Sequence, residues 1–77
     1  MTRLFLKLSQ INDIKNFHEL VSFIPNKVYL QQNEYLIDAK SLMGIFSLDL
    51  TKVVTFICEQ DLDGSILEGL KKFSVDD

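Results

Sequence analysis

Few side chains in this sequence could do covalent or acid–base chemistry, and they do not gather in one place. His18 is the only histidine and Cys58 the only cysteine. An imidazole titrates near neutrality and can accept a group at a ring nitrogen. His18, however, falls about a turn into an amphipathic helix and borders its apolar stripe beside Ile14. It is remote from the free N–H groups of a helix start that would hold a phosphate, and a structural or surface histidine accounts for that placement. Asp13 could become an acyl phosphate, since carboxylates serve as covalent nucleophiles. An acid in the first turn of a helix is nevertheless already favoured by the helix dipole. Cys58 closes the apolar run that starts at Val53 and reads as a buried structural thiol. With one cysteine and one histidine, neither an intramolecular disulfide nor a Cys/His metal cluster can form. No enzyme, metal or cofactor is expected from these residues.

The hydroxyl with the most informative surroundings is Ser41. Asp38-Ala39-Lys40-Ser41 forms a polar hinge between a β-like run and the helix-like run Leu42-Met43-Gly44-Ile45-Phe46-Ser47-Leu48. Ser41 is placed to cap that helix, where its oxygen would accept a backbone N–H for about 1 kcal/mol. The helix is apolar almost all round. A chain of 77 residues buries only about 60% of the surface it exposes when unfolded, so such a helix cannot be covered entirely. Ile45 with Leu42 or Leu48 can face the core, leaving Met43 and Phe46 on an outer face. Exposed apolar clusters mark partner sites, and methionine suits adaptable contacts. Leu42, Met43 and Phe46, with Lys40 at their edge, are therefore the candidate contact surface; the alternative is that all five apolar residues pack inward. Gly44 weakens the helix by about 1 kcal/mol relative to alanine and predicts a close approach, of a partner or of another backbone.

The elements that must position these residues follow from periodicity. Leu4, Leu6 and Leu8 alternate with Arg3, Phe5 and Lys7 as in a half-buried strand. Asn12 is the expected N-cap of a helix whose stripe is Ile14, Phe17, Leu20, Val21 and Ile24; Pro25 ends it. Phe23 lies off the stripe, either covering the end of the core or exposed. Val28 and Leu30 mark a second strand, Gln32-Asn33-Glu34 a hairpin turn, and Tyr35 to Asp38 a third strand. The short helix from Ser41 to about Leu48 comes next. Val53 to Glu59 is β-branched and aromatic, a fourth strand. After a loop from Asp61 to Gly64, Ser65 with Glu68 predicts a capping box and a last helix with Ile66, Leu67, Leu70 and Phe73 on its apolar face. Lys71 and Lys72 complement its C-terminal dipole. Val75-Asp76-Asp77 is expected to fray. The order β-α-β-β-α-β-α predicts a single α+β domain over 1–77, an open-faced sandwich in which three helices cover one face of a four-stranded antiparallel sheet. Phe5, Tyr29 and Tyr35 are candidates for the open face, which could pair two copies of the chain.

Composition closes several function classes. The formal charge is −3 and the basic residues are scattered apart from Lys71-Lys72, so nothing resembles the basic footprint of a nucleic-acid binder. No apolar stretch approaches the ~18 residues of a membrane span, and Thr2 to Ser9, interrupted by Arg3 and Lys7, is no secretion signal. Together with the single cysteine, this points to the cytoplasm.

The segment Ala39-Lys40-Ser41-Leu42-Met43-Gly44-Ile45, continuing through Phe46-Ser47-Leu48, resembles the matching segment of the HPr family, the phosphocarriers of bacterial sugar phosphotransferase systems, and the rest of the chain agrees with that family in pattern. The resemblance implies the fold just described. It also implies a docking role for the second helix and a protein partner such as the HPr kinase/phosphorylase or a transcriptional regulator. In relatives from low-GC Gram-positive bacteria the serine matching Ser41 is phosphorylated and signals carbon status. HPr carriers hold a phosphohistidine at the start of the first helix, in a Gly-Leu-His-x-Arg-Pro-like motif. The matching segment here, Gln10-Ile11-Asn12-Asp13-Ile14-Lys15-Asn16, has no His, Arg or Pro; the alignment puts Asp13 near the histidine position and Lys15 near the arginine. The family's glycine after the second helix is replaced by Asp49, which tolerates left-handed geometry less easily than glycine. By resemblance the chain is an HPr-like regulator that has lost the phosphohistidine. The alternatives are a carrier using His18 or Asp13, or a self-associating module that is never phosphorylated.

Overall fold

Strand alternation decides which side chains enter the interior. In the computed structural model, which describes residues 1–75, the elements are β1 (Thr2–Leu6), α1 (Ile11–Ser22), β2 (Val28–Gln32), β3 (Tyr35–Asp38), α2 (Leu42–Phe46), β4 (Val54–Cys58) and α3 (Gly64–Lys71). Valines, isoleucines and aromatics fill β4 because a pleated, half-buried surface suits them. Val54, Phe56 and Cys58 point inward and are fully buried. The four strands form one antiparallel sheet in the order β1-β4-β2-β3. The central inward row runs Leu4, Phe56, Leu30 and Ile37 across all four strands. α1 lays Ile14, Phe17 and Val21 on that face. Phe17 meets Phe56 edge-on, with centroids 6.1 Å apart and rings at 86°, the arrangement that aligns a positive ring edge with a negative ring face. Ile45 of α2 and Leu70 of α3 complete the core. The α+β open-faced sandwich with a four-stranded antiparallel sheet is the architecture the sequence predicts.

Several local expectations change. α1 begins at Ile11 with Gln10 as N-cap, so Asn12 lies inside the first turn and Asp13 at its third position, where Oδ2 accepts the Gln10 N–H at 3.3 Å. α3 begins at Gly64, and its cap is Asp63, whose Oδ1 accepts both the N–H and the hydroxyl of Ser65 at 2.8 Å. A carboxylate is the stronger acceptor of a charge-assisted bond, so the Ser65 hydroxyl serves the cap rather than being it. α2 stops at Phe46, and Leu48, though buried, lies beyond it. Asp49 does not adopt left-handed geometry: among the described residues other than glycine only Asn33, in the β2–β3 turn, has positive φ. Asp49 instead turns the chain with its carboxylate, which accepts the Thr51 N–H and hydroxyl. The Gln32 side chain clamps the same residue, accepting its N–H at 2.8 Å and donating to its carbonyl at 2.7 Å. Phe23 is exposed.

Tyr35 pairs with Gln32 and shares the parity of inward Ile37; Leu36, opposite Gln31, faces outward instead. Val75 is not frayed. Lys7 donates to the Phe73 carbonyl, Ser74 bridges Leu6, and the Val75 N–H reaches the Phe5 carbonyl at 2.9 Å, partners that the edge strand β1 otherwise lacks. Asp76 and Asp77 lie outside the described residues.

Truncating Phe17 to alanine should cost about 3–5 kcal/mol, a large part of the stability of a small domain. Phe17→Ala should therefore unfold at a much lower urea concentration than wild type, as followed by circular dichroism, and a wild-type urea midpoint would contradict this core. Hydrogen bonds from Thr51 and Ser65 hold the Asp49 and Asp63 carboxyls below the ordinary value of 3.8. A carboxyl lowered in the folded state adds stability above its unfolded pKa, and that stability is lost as pH falls through the folded value. Asp63→Asn should therefore flatten part of the decline in thermal stability below about pH 4; an acid profile parallel to the wild type would refute the linkage.

Candidate functional site: the hinge before α2 and its apolar face

Asp38 to Ser41 must leave β3, reverse and enter a helix within four residues, and each backbone step is tied down. The Ala39 N–H donates to the Val28 carbonyl at 3.0 Å and the Ser41 N–H to the Asp38 carbonyl at 3.0 Å. Asp38 Oδ1 accepts the Lys40 N–H at 2.9 Å, an Asx turn. Ser41 is the N-cap of α2: its Oγ accepts the Gly44 N–H at 3.1 Å, and its carbonyl accepts the Ile45 N–H. A Cβ at Gly44 would stand 3.3 Å from Ile37 Cδ1 and 3.3 Å from Ser41 Oγ. The close approach at this glycine is thus not to another backbone, as the sequence suggests, but to a side chain of β3 and to the capping serine itself.

Two side chains brace the hinge against α1. His18 Nε2 lies 3.0 Å from the Lys40 carbonyl oxygen. A carbonyl only accepts, so the ring proton sits on Nε2. Lys40 Nζ donates to the Ile24 carbonyl at 2.6 Å, beyond the end of α1, whose last turn holds no basic residue of its own. A cation there complements the helix dipole. His18 and Lys40 are 22 residues apart, and no periodicity in the sequence announces their contact.

The apolar face beyond the hinge divides as α2 requires. Ile45 and Leu48 are buried, whereas Leu42 is 44%, Phe46 55% and Met43 85% exposed. The alternative in which all five residues pack inward does not hold. The sequence also passes over Ile11, an exposed apolar residue in the first turn of α1 and off its buried stripe.

The other candidates lie elsewhere. Asp13 is half-buried and engaged at the start of α1, about 7.5 Å of helix rise before His18. Lys15 is exposed on the same helix. Asp13 and Lys15 do not pair: among the described residues the one ion pair joins the Met1 ammonium to Asp61. His18 donates into the hinge from within α1, and Cys58 is sealed in the core. The structure thus joins His18 to the hinge of Lys40 and Ser41, which leads directly into Leu42, Met43 and Phe46, and leaves Asp13 and Lys15 at the beginning of α1.

Solved structures share this fold. HPr-C-His from Thermoanaerobacter tengcongensis matches with a TM-score of 0.75 at 20% identity, over 94% of this chain and 89% of that one. The phosphocarrier protein HPr from Bacillus anthracis matches with a TM-score of 0.68 at 21% identity, over 96% of this chain and 94% of that one. This chain has the HPr fold. No protein-family model matches the sequence, and no curated protein does. Within the HPr fold, the start of α1 here carries Gln10, Ile11 and Asn12. Among the described residues no helix is long and apolar enough to cross a membrane.

Removing the Ser41 hydroxyl should cost about 1 kcal/mol and lower the melting temperature by about 4–8 °C. Ser41→Asp, which keeps an acceptor at the cap, should recover most of that loss. Equal melting curves for Ser41→Ala and wild type would show that the cap is not made in solution.

Proposed function

We propose that this chain is an HPr-like regulatory binding module of the sugar phosphotransferase family, acting in the cytoplasm in carbon-catabolite control. Ser41 is its phosphorylation switch, and Leu42, Met43, Phe46 and Lys40 are its contact surface. The observation that carries this reading is the adjacency of the Ser41 hydroxyl to three exposed apolar side chains on a helix of the HPr fold. A phosphoserine brings up to two negative charges and three acceptor oxygens. At Ser41 it stands where the Gly44 N–H already donates to the hydroxyl, so the charge is added without opening the fold. Its effect falls on whatever docks over Met43 and Phe46: a partner with an arginine or lysine beside an apolar pocket gains a charge-assisted bond, and one with a carboxylate there is repelled. By the resemblance, the enzyme that acts on Ser41 is the HPr kinase/phosphorylase and the reader is a transcriptional regulator.

Histidine phosphotransfer is not part of this reading. The start of α1 carries no imidazole, Asp13 is engaged with Gln10, and the Nε2 proton of His18 is directed to the Lys40 carbonyl. Intact-mass spectrometry after two separate incubations tests the proposal. With the HPr serine kinase and ATP, one acid-stable phosphate should appear on Ser41 and be absent from Ser41→Ala. With the general phosphotransferase enzyme and phosphoenolpyruvate, no phosphate should appear. An acid-labile phosphate on His18 or Asp13 in the second reaction would overturn the reading in favour of a carrier. Phosphate in neither would leave an unphosphorylated interaction module.

A further inference from the structure

The helices cover one face of the sheet, and the register fixes what the other face presents. One outward row crosses the four strands as Arg3, Ile57, Tyr29 and Asp38; the next runs Phe5, Thr55, Gln31 and Leu36. Half of these eight side chains are apolar or aromatic. Phe5 is 38% and Leu36 57% exposed, and Ile57 and Tyr29, in the other row on the inner strands, are half-buried. The first row carries a cation on one edge strand and an anion on the other. The Asp38 carboxylate gives one oxygen to the Lys40 N–H, which leaves the second to accept.

We propose that a second copy of this chain covers the open face across a two-fold axis running parallel to the strands. Such an axis lays β1 over β3 of the second copy and β4 over its β2, with rows in register. Arg3 then meets Asp38 of the second copy, Ile57 meets Tyr29, Phe5 meets Leu36 and Thr55 meets Gln31, and each contact occurs twice, as an isologous interface requires. The other in-plane axis, perpendicular to the strands, would set Arg3 over Phe5 and Asp38 over Leu36, burying both charges against apolar groups, which is costly. The charge pattern therefore selects one axis.

Facing sheets cross at about 30°. The edge strands lie about 7 Å from the axis, so that rotation displaces their residues by about 4 Å, within the reach of an arginine side chain. Beside Phe5, a hollow of about 280 Å³ bordered by Val53, Asn33 and Lys52 leaves room for Leu36 of the second copy. Four strands of four to five residues present only about 300 Å² of projected face, well below the roughly 800 Å² that each partner buries in a standard interface. The dimer is accordingly a weak one that exchanges with monomer. It leaves α2 uncovered, so it presents two copies of the Met43–Phe46 surface.

Sedimentation velocity between about 10 µM and 1 mM, the range suited to an interface below standard size, tests the proposal. Wild type should move from monomer toward dimer across that range. Arg3→Asp and Leu36→Lys should each weaken association by roughly tenfold or more, while Met43→Asp should leave it unchanged. Arg3→Asp mixed with Asp38→Arg should associate again, because each heterodimer contact then joins opposite charges; circular dichroism of Asp38→Arg checks that its hinge is intact. A wild type that stays monomeric to about 1 mM overturns the proposal. So does a dimer that survives both Arg3→Asp and Leu36→Lys, or one lost only with Met43→Asp. None of these results bears on phosphorylation of Ser41, which is read separately by mass.

Discussion

The contact on which the rest of this structure depends is the edge-on meeting of Phe17 with Phe56. It joins the middle of α1 to an inner strand of the sheet, and both rings are fully buried. With α1 set there, Ile14 and Val21 fall one turn to either side on the same face, and the stretch from Ile24 to Lys27 carries the chain into β2. The inward parity of β4 is settled at the same time: Val54, Phe56 and Cys58 are inside, so Thr55 and Ile57 are outside. A slip of one residue would turn that whole strand over and put Thr55 and Ile57 against Phe17. Each outward-facing residue of the sheet is outward because this pair is inward.

A two-layer domain of this size has one interior, and that limits what α2 can bury. Five residues make less than a turn and a half of helix, which directs Ile45 to the core and turns Met43 away from it. Isolated helices this short are not stable in water. α2 persists because the turns ahead of it are held from outside: by the Ser41 cap, by the Asp38 Asx turn, and by His18 and Lys40 reaching across to and from α1. The exposure of Leu42, Met43 and Phe46 is thus supported by polar bonds elsewhere. A helix built for stability alone would carry polar residues at those positions, so the apolar side chains there ask for a function.

Much of this was legible in the sequence because period-two and period-3.6 patterns report the interior directly. The alternation through Leu4 and Leu6, the stripe from Ile14 to Ile24 and the β-branched run into Cys58 place nearly the whole core. The Ser41 cap and the outward Met43 and Phe46 were readable for the same reason: a single hydroxyl precedes a short apolar run with no rival cap. Where rivals stand side by side, the sequence alone does not decide between them. Gln10, Asn12 and Asp13 can all serve a helix start, as can Asp63 and Ser65, and which does so depends on where the preceding chain leaves the sheet. Tyr35 and Leu36 differ by one residue and therefore by a face, a distinction that only the pairing with Gln31 and Gln32 resolves. The bonds of His18 to the Lys40 carbonyl and of Lys40 to the Ile24 carbonyl have no local signature at all, because they depend on the hinge meeting α1 and the turn after it in space.

In this fold the start of α1 and the apolar face of α2 are built from different parts of the chain. A phosphohistidine at a helix start would draw on free backbone N–H groups and the helix dipole. Here the side chain of Asp13 occupies the start of α1, its carboxylate bonded to the Gln10 N–H, and a second anion at that place would meet its charge. The apolar face of α2 depends on none of this; it rests on the hinge, on Ile45 and on Ile37 beneath Gly44. Exchanging the residues at the beginning of α1 leaves every one of those supports in place. Fold and site can therefore part company, and in this chain the Ser41 hydroxyl is bonded into the same helix start that leaves Leu42, Met43 and Phe46 exposed.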